Sequence, residues 1–466
     1  MLRLQLKTLL SVALLVLSAC SQSRVSVPQQ TVDKLTLGQR QTLMNDLNVG
    51  VIHLESKIAE GNTCKDFIAE LPTDYSWGYV NVPEDWNQPS ARQIKVFYYG
   101  QIKDAKNPVI FYNGGPASDS HGSFSNIAQT PDSEGLNFIY IDQRGTGCSS
   151  PFPDQPSIET IQRLKNYGSR SIVKDSEYLR QQILGASSKW KIFGQSYGGL
   201  IVHRYVTVAP QSVTSAHAHG FSVMTNEVQW IKLRMLSQKR VVQDYLKKYP
   251  GDDLKIQKIR SLVKPNMCYA AGTTEICGNA TVDALTIFLG FSSSWPSMHQ
   301  VIALLANGEK LNEEAYKNFV QNYVLGVFGN QYGPGTVIGW MDMSGDKPQI
   351  NYCPDVEAQL AADGEKTNEW LINECRVLSA FKDAAWDPLF TQIGAHDPLT
   401  LFELKKDLVA SGVPFFLYSG RFDVFVPFET FVEEIRYLGD VIHYKNFESS
   451  GHEGFLSEPL VWKNLR

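Results

Sequence analysis

The chain has 466 residues, enough for one large domain with an insertion or for two or three smaller ones, and long enough to bury a substantial core. Apolar residues make up 43% and charged residues 20%, as in an ordinary globular protein. The net charge of −5 is spread along the chain with no basic stripe, which excludes a nucleic-acid partner.

The N-terminus carries Arg3 and Lys7, then an apolar run from Leu9 to Leu17, then Ser18-Ala19-Cys20. A charged start, a short apolar stretch and small residues predict a signal peptide over residues 1–19, since the run is too short to cross a bilayer. Leu17-Ser18-Ala19-Cys20 resembles the lipobox of bacterial lipoproteins, which implies cleavage before Cys20 and lipidation of its thiol. Ser21 rather than Asp follows, which in a Gram-negative cell would favour the outer membrane. Two or three acyl chains anchor a protein stably. The expectation is a lipid-anchored protein of the cell envelope, facing the periplasm, with residues 20–55 as lipidated N-terminus and tether.

Further along, short apolar strands alternate with helices. Strands are predicted at Arg92 to Tyr99, Pro108 to Tyr112, Leu136 to Ile141, Trp190 to Phe193, Ser212 to His219, Val413 to Tyr418 and Val441 to Phe447. Helices are predicted at Ile158 to Leu184, interrupted near Gly168, and at Gly198 to Val208. This rhythm predicts a mostly parallel sheet covered on both faces. It breaks between Phe221 and about Pro398, a helix-rich, aromatic stretch with four cysteines. That stretch reads as a mainly helical cap over residues 222–398, inserted between the two parts of an α/β core at 56–221 and 399–466.

Setting Cys20 aside leaves Cys64, Cys148, Cys268, Cys277, Cys353 and Cys375, an even number compatible with disulfides in an oxidising compartment. The close pairs Cys268–Cys277 and Cys353–Cys375 are expected to close local loops, leaving Cys64–Cys148 to tie the N-terminal segment to the core. Metal binding by these cysteines has no Cys-x-x-Cys spacing to support it. His217 and His219 share one face of a strand but lack a third ligand at a recognisable spacing. No metal or cofactor is therefore expected.

Gly194-Gln195-Ser196-Tyr197-Gly198 fits Gly-x-Ser-x-Gly, with a strand before it and a helix after it. That context exposes the hydroxyl of Ser196 on a tight turn whose flanking positions have no room for side chains. A serine nucleophile needs a base, and the base an orienting carboxylate, in the chain order Ser, acid, His for the α/β-hydrolase arrangement. Asp423 follows a strand in Ser419-Gly420-Arg421-Phe422-Asp423, and His452 lies in the loop Ser450-Gly451-His452-Glu453-Gly454. The competitors are weaker: His443 lies within a strand, His396 and Asp397 lie near the end of the cap, and Cys148 has a less well-formed motif around it. The oxyanion donors are expected to be the N–H of Tyr197 and that of Gly115, with Gly114 second, in Asn113-Gly114-Gly115-Pro116 directly after a strand.

These segments together resemble the proline iminopeptidase and tripeptidyl aminopeptidase group of serine peptidases. Asn113 to Pro116 is similar to that group's His-Gly-Gly-Pro-Gly loop. Asp142-Gln143-Arg144-Gly145-Thr146-Gly147-Cys148-Ser149 is similar to its Asp-Gln-Arg-Gly-x-Gly-x-Ser, and Gly194 to Gly199 to its Gly-x-Ser-x-Gly-Gly. Cys64 and Gly78 to Pro83 look like the N-terminal strand region of the secreted tripeptidyl aminopeptidases. Asn113 stands where the group has His, and Ala117 where it has a final Gly. The resemblance implies a serine exopeptidase acting through an acyl-enzyme on a peptide or small acyl substrate. It also implies cap carboxylates that hold the substrate's ammonium; Glu227, Asp342, Glu357 and Glu369 are among many candidates. A cap-bearing carboxylesterase or lipase with the same triad is the alternative, and a non-catalytic binding lipoprotein a further one. The oligomeric state is not legible.

Overall fold

The computed structural model describes residues 64–466 apart from 104–105, 154, 272–273, 288–291, 326–332, 344–352, 365–380 and 395. Cys20, the signal peptide, the tether, Glu369 and Cys375 lie outside the described residues. Among the described residues no helix is long and apolar enough to cross a membrane.

Among the described residues eight strands form the central sheet: β1 (Ser76–Pro83), β2 (Gln93–Gly100), β3 (Val109–Tyr112), β4 (Phe138–Ile141), β5 (Trp190–Gln195), β6 (Val213–His219), β10 (Phe415–Gly420) and β11 (His443–Phe447). Their order is β1-β2-β4-β3-β5-β6-β10-β11. β1 pairs antiparallel with β2, and β2 with β4; every pairing from β4 to β11 is parallel. All four residues of β3 and of β4 are buried, because a central parallel strand is covered on both faces. Alternate residues serve different cores. Ile110 and Tyr112 face helix-borne Leu200, Ile201 and Leu179, whereas Val109 and Phe111 join Phe138, Tyr140, Phe193 and Trp462 on the opposite side.

The helix break expected near Gly168 is present: Ile158–Leu164 is followed by α1, Ser169–Leu184. The helix after the Ser196 turn is α2, Tyr197–Val208. The described residues between β6 and β10 are mainly helical, beginning with α3 (Glu227–Lys248) and including α4 (Pro334–Met343). This segment also holds a three-stranded antiparallel sheet of β7 (Cys268–Ala271), β8 (Thr274–Cys277) and β9 (Lys382–Asp383), which the sequence pattern did not announce. Strands of two to four residues are too short to show a period-two signal. Val241, Tyr245, Ile259, Trp295, Tyr316 and Phe319 of this segment form an apolar cluster that also takes in Val424 from the loop after β10.

Cys64–Cys148 and Cys268–Cys277 are disulfide-bonded, the second pair directly opposite across β7 and β8. Cys353 is also in a disulfide.

Candidate active site

Ser196 caps α2 with φ 58° and ψ −122°, a conformation that strains any residue with a side chain. The turn is forced by close backbone approach. A Cβ on Gly194 would lie 2.0 Å from the Gly198 carbonyl oxygen, and one on Gly198 would lie 2.0 Å from that of Tyr112. Both flanking positions must therefore be glycine. The Ser196 N–H donates to the His219 carbonyl at 2.8 Å, fixing the turn to the end of β6.

Asp423 and His452 come from loops at the ends of β10 and β11. Gly420 lets them meet: a Cβ there would stand 2.5 Å from the carbonyl oxygen of Gly451. Asp423 is fully buried. Its Oδ1 accepts the N–H groups of Phe425 and Val426, both at 2.8 Å, and its Oδ2 lies 2.7 Å from His452 Nδ1. A carboxylate held by two backbone donors can only accept, so Nδ1 carries the hydrogen of that bond and Nε2 is the basic nitrogen of the neutral ring. Phe425 packs beside the imidazole, 5.0 Å between ring centres.

The Ser196 turn and the His452 ring converge on residues 219 and 220. The Ser196 N–H is bound at His219, and a Cβ on Gly220 would lie 3.2 Å from His452 Cε1. Gln195, the variable residue before the serine, donates through Nε2 to the His452 carbonyl at 3.2 Å. The motif pattern treats that position as free, so sequence reading passed over it.

Gly114 and Gly115 form the facing wall. A Cβ on Gly114 would approach Ser196 Cβ to 3.0 Å, and Gly115 adopts φ 114°. Tyr197 is the first residue of α2, so its N–H has no acceptor within the helix. Asn113 keeps the loop in place without the usual histidine. Its Oδ1 accepts from Ser123 Oγ at 2.6 Å, its Nδ2 donates to the Asp119 carbonyl, and its carbonyl accepts from Gln143 Nε2 at 3.0 Å. Ala117 takes the left-handed φ of 72° that a glycine would adopt without strain.

The Asp142-Gln143-Arg144 run is a buried scaffold under this loop. Asp142 accepts from the N–H groups of Ser120 (3.0 Å) and Cys148 (2.8 Å) and from Ser120 Oγ (2.7 Å), and pairs with His121 Nε2 at 2.8 Å. Arg144 donates to Asp175, to the carbonyls of Pro83 and Glu84, and to that of Asn166. Together these groups tie the end of β1, the segment at Ser120 and His121, Cys148, and the chain around Asn166 and Asp175 to one buried framework.

The remaining candidates are dispersed. His217 stacks on Phe416 and its ring nitrogens lie 2.9 Å from Ser215 Oγ and 3.3 Å from the Tyr418 hydroxyl. Burial lowers both His217 and His219 to about 3, so both rings are neutral. Asp397 pairs with Arg170, and His443 stacks on Phe416 at the sheet edge. Among the described residues two clusters have metal-ligand types, His121-Asp142-Cys148 and Cys268-Glu275-Cys277, but their cysteines are in disulfides. Of the carboxylates considered for an ammonium, Glu227 starts α3, Glu357 is exposed, and Asp342 is buried against the core.

Strand order, the strained serine turn after β5 and the acid and histidine loops after β10 and β11 define an α/β-hydrolase fold. The chain matches the α/β hydrolase fold family over residues 107–267. It is 28% identical over 205 residues to a proline iminopeptidase of Aspergillus aculeatus, covering 40% of this chain and 46% of that one. It is 21% identical over 351 residues to a proline iminopeptidase of Aeromonas sobria, covering 68% and 80%. The chain thus spans about half the length of the first relative and four-fifths of the second. Among solved structures, a thermophilic esterase from Thermogutta terrifontis aligns over 84% of this chain and 97% of its own, with 13% identity and a TM-score of 0.38.

Proposed function

We propose that the protein is a serine hydrolase, and within that class an exopeptidase that releases N-terminal residues or short peptides. The observation that carries the reading is the convergence of the Ser196 turn with the Asp423–His452 pair around Gly220. In this mechanism Ser196 Oγ attacks the substrate carbonyl while His452 Nε2 takes its proton, and Asp423 holds the tautomer and stabilises the imidazolium. The N–H groups of Tyr197 and Gly115 receive the oxyanion, each worth about 3 kcal/mol in the transition state. His452 then protonates the leaving amine, and water repeats the sequence on the acyl-enzyme.

The peptide preference draws on the proline iminopeptidase relatives and on the large segment between β6 and β10, which would limit access to short chains. The substrate is accordingly a short peptide with a free N-terminus. A panel of aminoacyl and tripeptidyl anilides set against p-nitrophenyl esters tests it. Anilide cleavage is expected; rapid ester cleavage with every anilide inert would assign the site to a carboxylesterase instead.

We further propose, from the lipobox-like Leu17-Ser18-Ala19-Cys20, that the enzyme is held at the cell envelope by a lipid on Cys20. Metabolic labelling with a clickable palmitate is expected to mark the wild type and not Cys20→Ala; equal labelling of both would remove the anchor.

A further inference from the structure

One helix of the segment between β6 and β10 touches both walls of the proposed oxyanion site. The backbone of α4 lies against Pro116, the residue after Gly115: a Cβ on Gly339 would stand 3.2 Å from Pro116 Cγ. Three residues on, Asp342 reaches the start of α2. Its Oδ2 accepts the Tyr197 hydroxyl at 2.6 Å and the Ser169 N–H at 2.6 Å. Asp342 is 5% exposed and Tyr197 2%. The backbone has been shaped around this carboxylate, since a Cβ on Gly168 would come within 2.7 Å of Asp342 Oδ1. Burial pushes the Tyr197 hydroxyl well above its ordinary range, so it stays protonated and donates.

Tyr197 is thus fastened at both ends. Its backbone begins α2 immediately after Ser196, and its hydroxyl is fixed from across the chain. A side chain held at its tip restricts the rotation of its own Cα and of the adjacent peptide, and an N–H donor is effective only within a few tenths of an ångström and 10–20° of its productive line.

We propose that Asp342 is a positioning residue for the oxyanion donors: through the Tyr197 hydroxyl it fixes the direction of the Tyr197 N–H, and so transmits the seating of α4 to the catalytic step. The proposal rests on the reading of Ser196 as nucleophile. It predicts an effect on the tetrahedral state and little on ground-state binding, because the oxyanion exists only after attack. It also gives Asp342 a role other than holding a substrate ammonium, for which its carboxylate is already committed.

The test uses the full chain and three variants, with active sites counted by fluorophosphonate titration. Asp342→Ala and the near-isosteric Tyr197→Phe are each expected to lower kcat per titrated site by about tenfold or more while KM stays within about twofold. Affinity for a peptide aldehyde, whose hemiacetal oxygen occupies the same site, should fall by a similar factor. Asp342→Asn keeps an oxygen that accepts both donors and should restore kcat to within about threefold of wild type. Wild-type labelling with kcat unchanged in Tyr197→Phe, whatever its melting temperature, would overturn the inference alone. No labelling of wild-type Ser196 would remove the hydrolase reading and this inference together.

Discussion

His452 Nδ1 stands 2.7 Å from Asp423 Oδ2, and the other carboxylate oxygen is occupied by the N–H groups of Phe425 and Val426. Because Asp423 can only accept, the pair selects one histidine tautomer and makes Nε2 the base. Asp423→Asn keeps the shape but offers an NH2 group to Nδ1, favouring the opposite tautomer. We expect kcat to fall by about 10³-fold or more with KM little changed and the fold intact. Steady-state kinetics with far-ultraviolet circular dichroism checks this.

The strained turn gives a stability prediction. Ser196 and Ala117 both hold positive φ, at 58° and 72°. Glycine relieves such strain, against which its greater freedom in the unfolded chain must be set. Ser196→Gly should be more stable than Ser196→Ala by about 1 kcal/mol in urea unfolding. Ala117→Gly should raise stability by up to about 1 kcal/mol while keeping activity. A lower denaturation midpoint in both glycine variants would contradict this account of the backbone.

The buried His121–Asp142 pair makes stability depend on pH. Burial alone would lower the His121 pKa, but Asp142, its bonded partner, and Asp119 outweigh it and raise the value above 6.5. A group whose folded pKa is raised contributes stability that is fully present below the unfolded value and is lost as pH rises through the folded one. For Asp142 burial opposes ionisation, but His121 and the N–H groups of Cys148 and Ser120 prevail and hold its carboxyl below 3.8. That contribution is present above the unfolded value and lost as pH falls through the folded pKa. Urea midpoints should decline from about pH 6.5 upward in the wild type. In His121→Gln that alkaline decline should flatten; an unchanged slope would show that His121 does not titrate with folding.

The Cys64–Cys148 bridge closes a separation of 84 residues and pins the helix Cys64–Glu70 beside the Asp142 scaffold. Replacing both cysteines by serine should cost about 2–4 kcal/mol of stability. Mass mapping of unreduced peptides should recover Cys64 with Cys148 and Cys268 with Cys277. Other pairings would contradict the structure.

Parts of this architecture were readable from local chemistry. The serine turn was legible because its constraint is steric and confined to five residues: Gly194 and Gly198 are where the backbones collide. Asp423 was legible because it follows the apolar run Phe415-Phe416-Leu417-Tyr418 of β10, and His452 because it lies in a Gly-flanked loop after the strand signal that ends in β11. Contacts carried by non-local packing were not. Tyr197 and Asp342 are 145 residues apart, and Asp342 looks in sequence like any other acidic residue of its segment. The pairing of buried His203 with Glu434, 2.9 Å apart across 231 residues, was invisible for the same reason. The sheet β7-β8-β9 escaped because its strands are shorter than the pattern that identifies a strand.

The central claim is that Ser196 is a nucleophile activated by His452. Reaction with a fluorophosphonate followed by peptide mapping tests it most directly. One label per chain on Ser196 is predicted, with anilide hydrolysis lost in proportion to labelling, and no label in Ser196→Ala or His452→Ala. Labelling at another residue, or hydrolysis that survives full modification of Ser196, would contradict it.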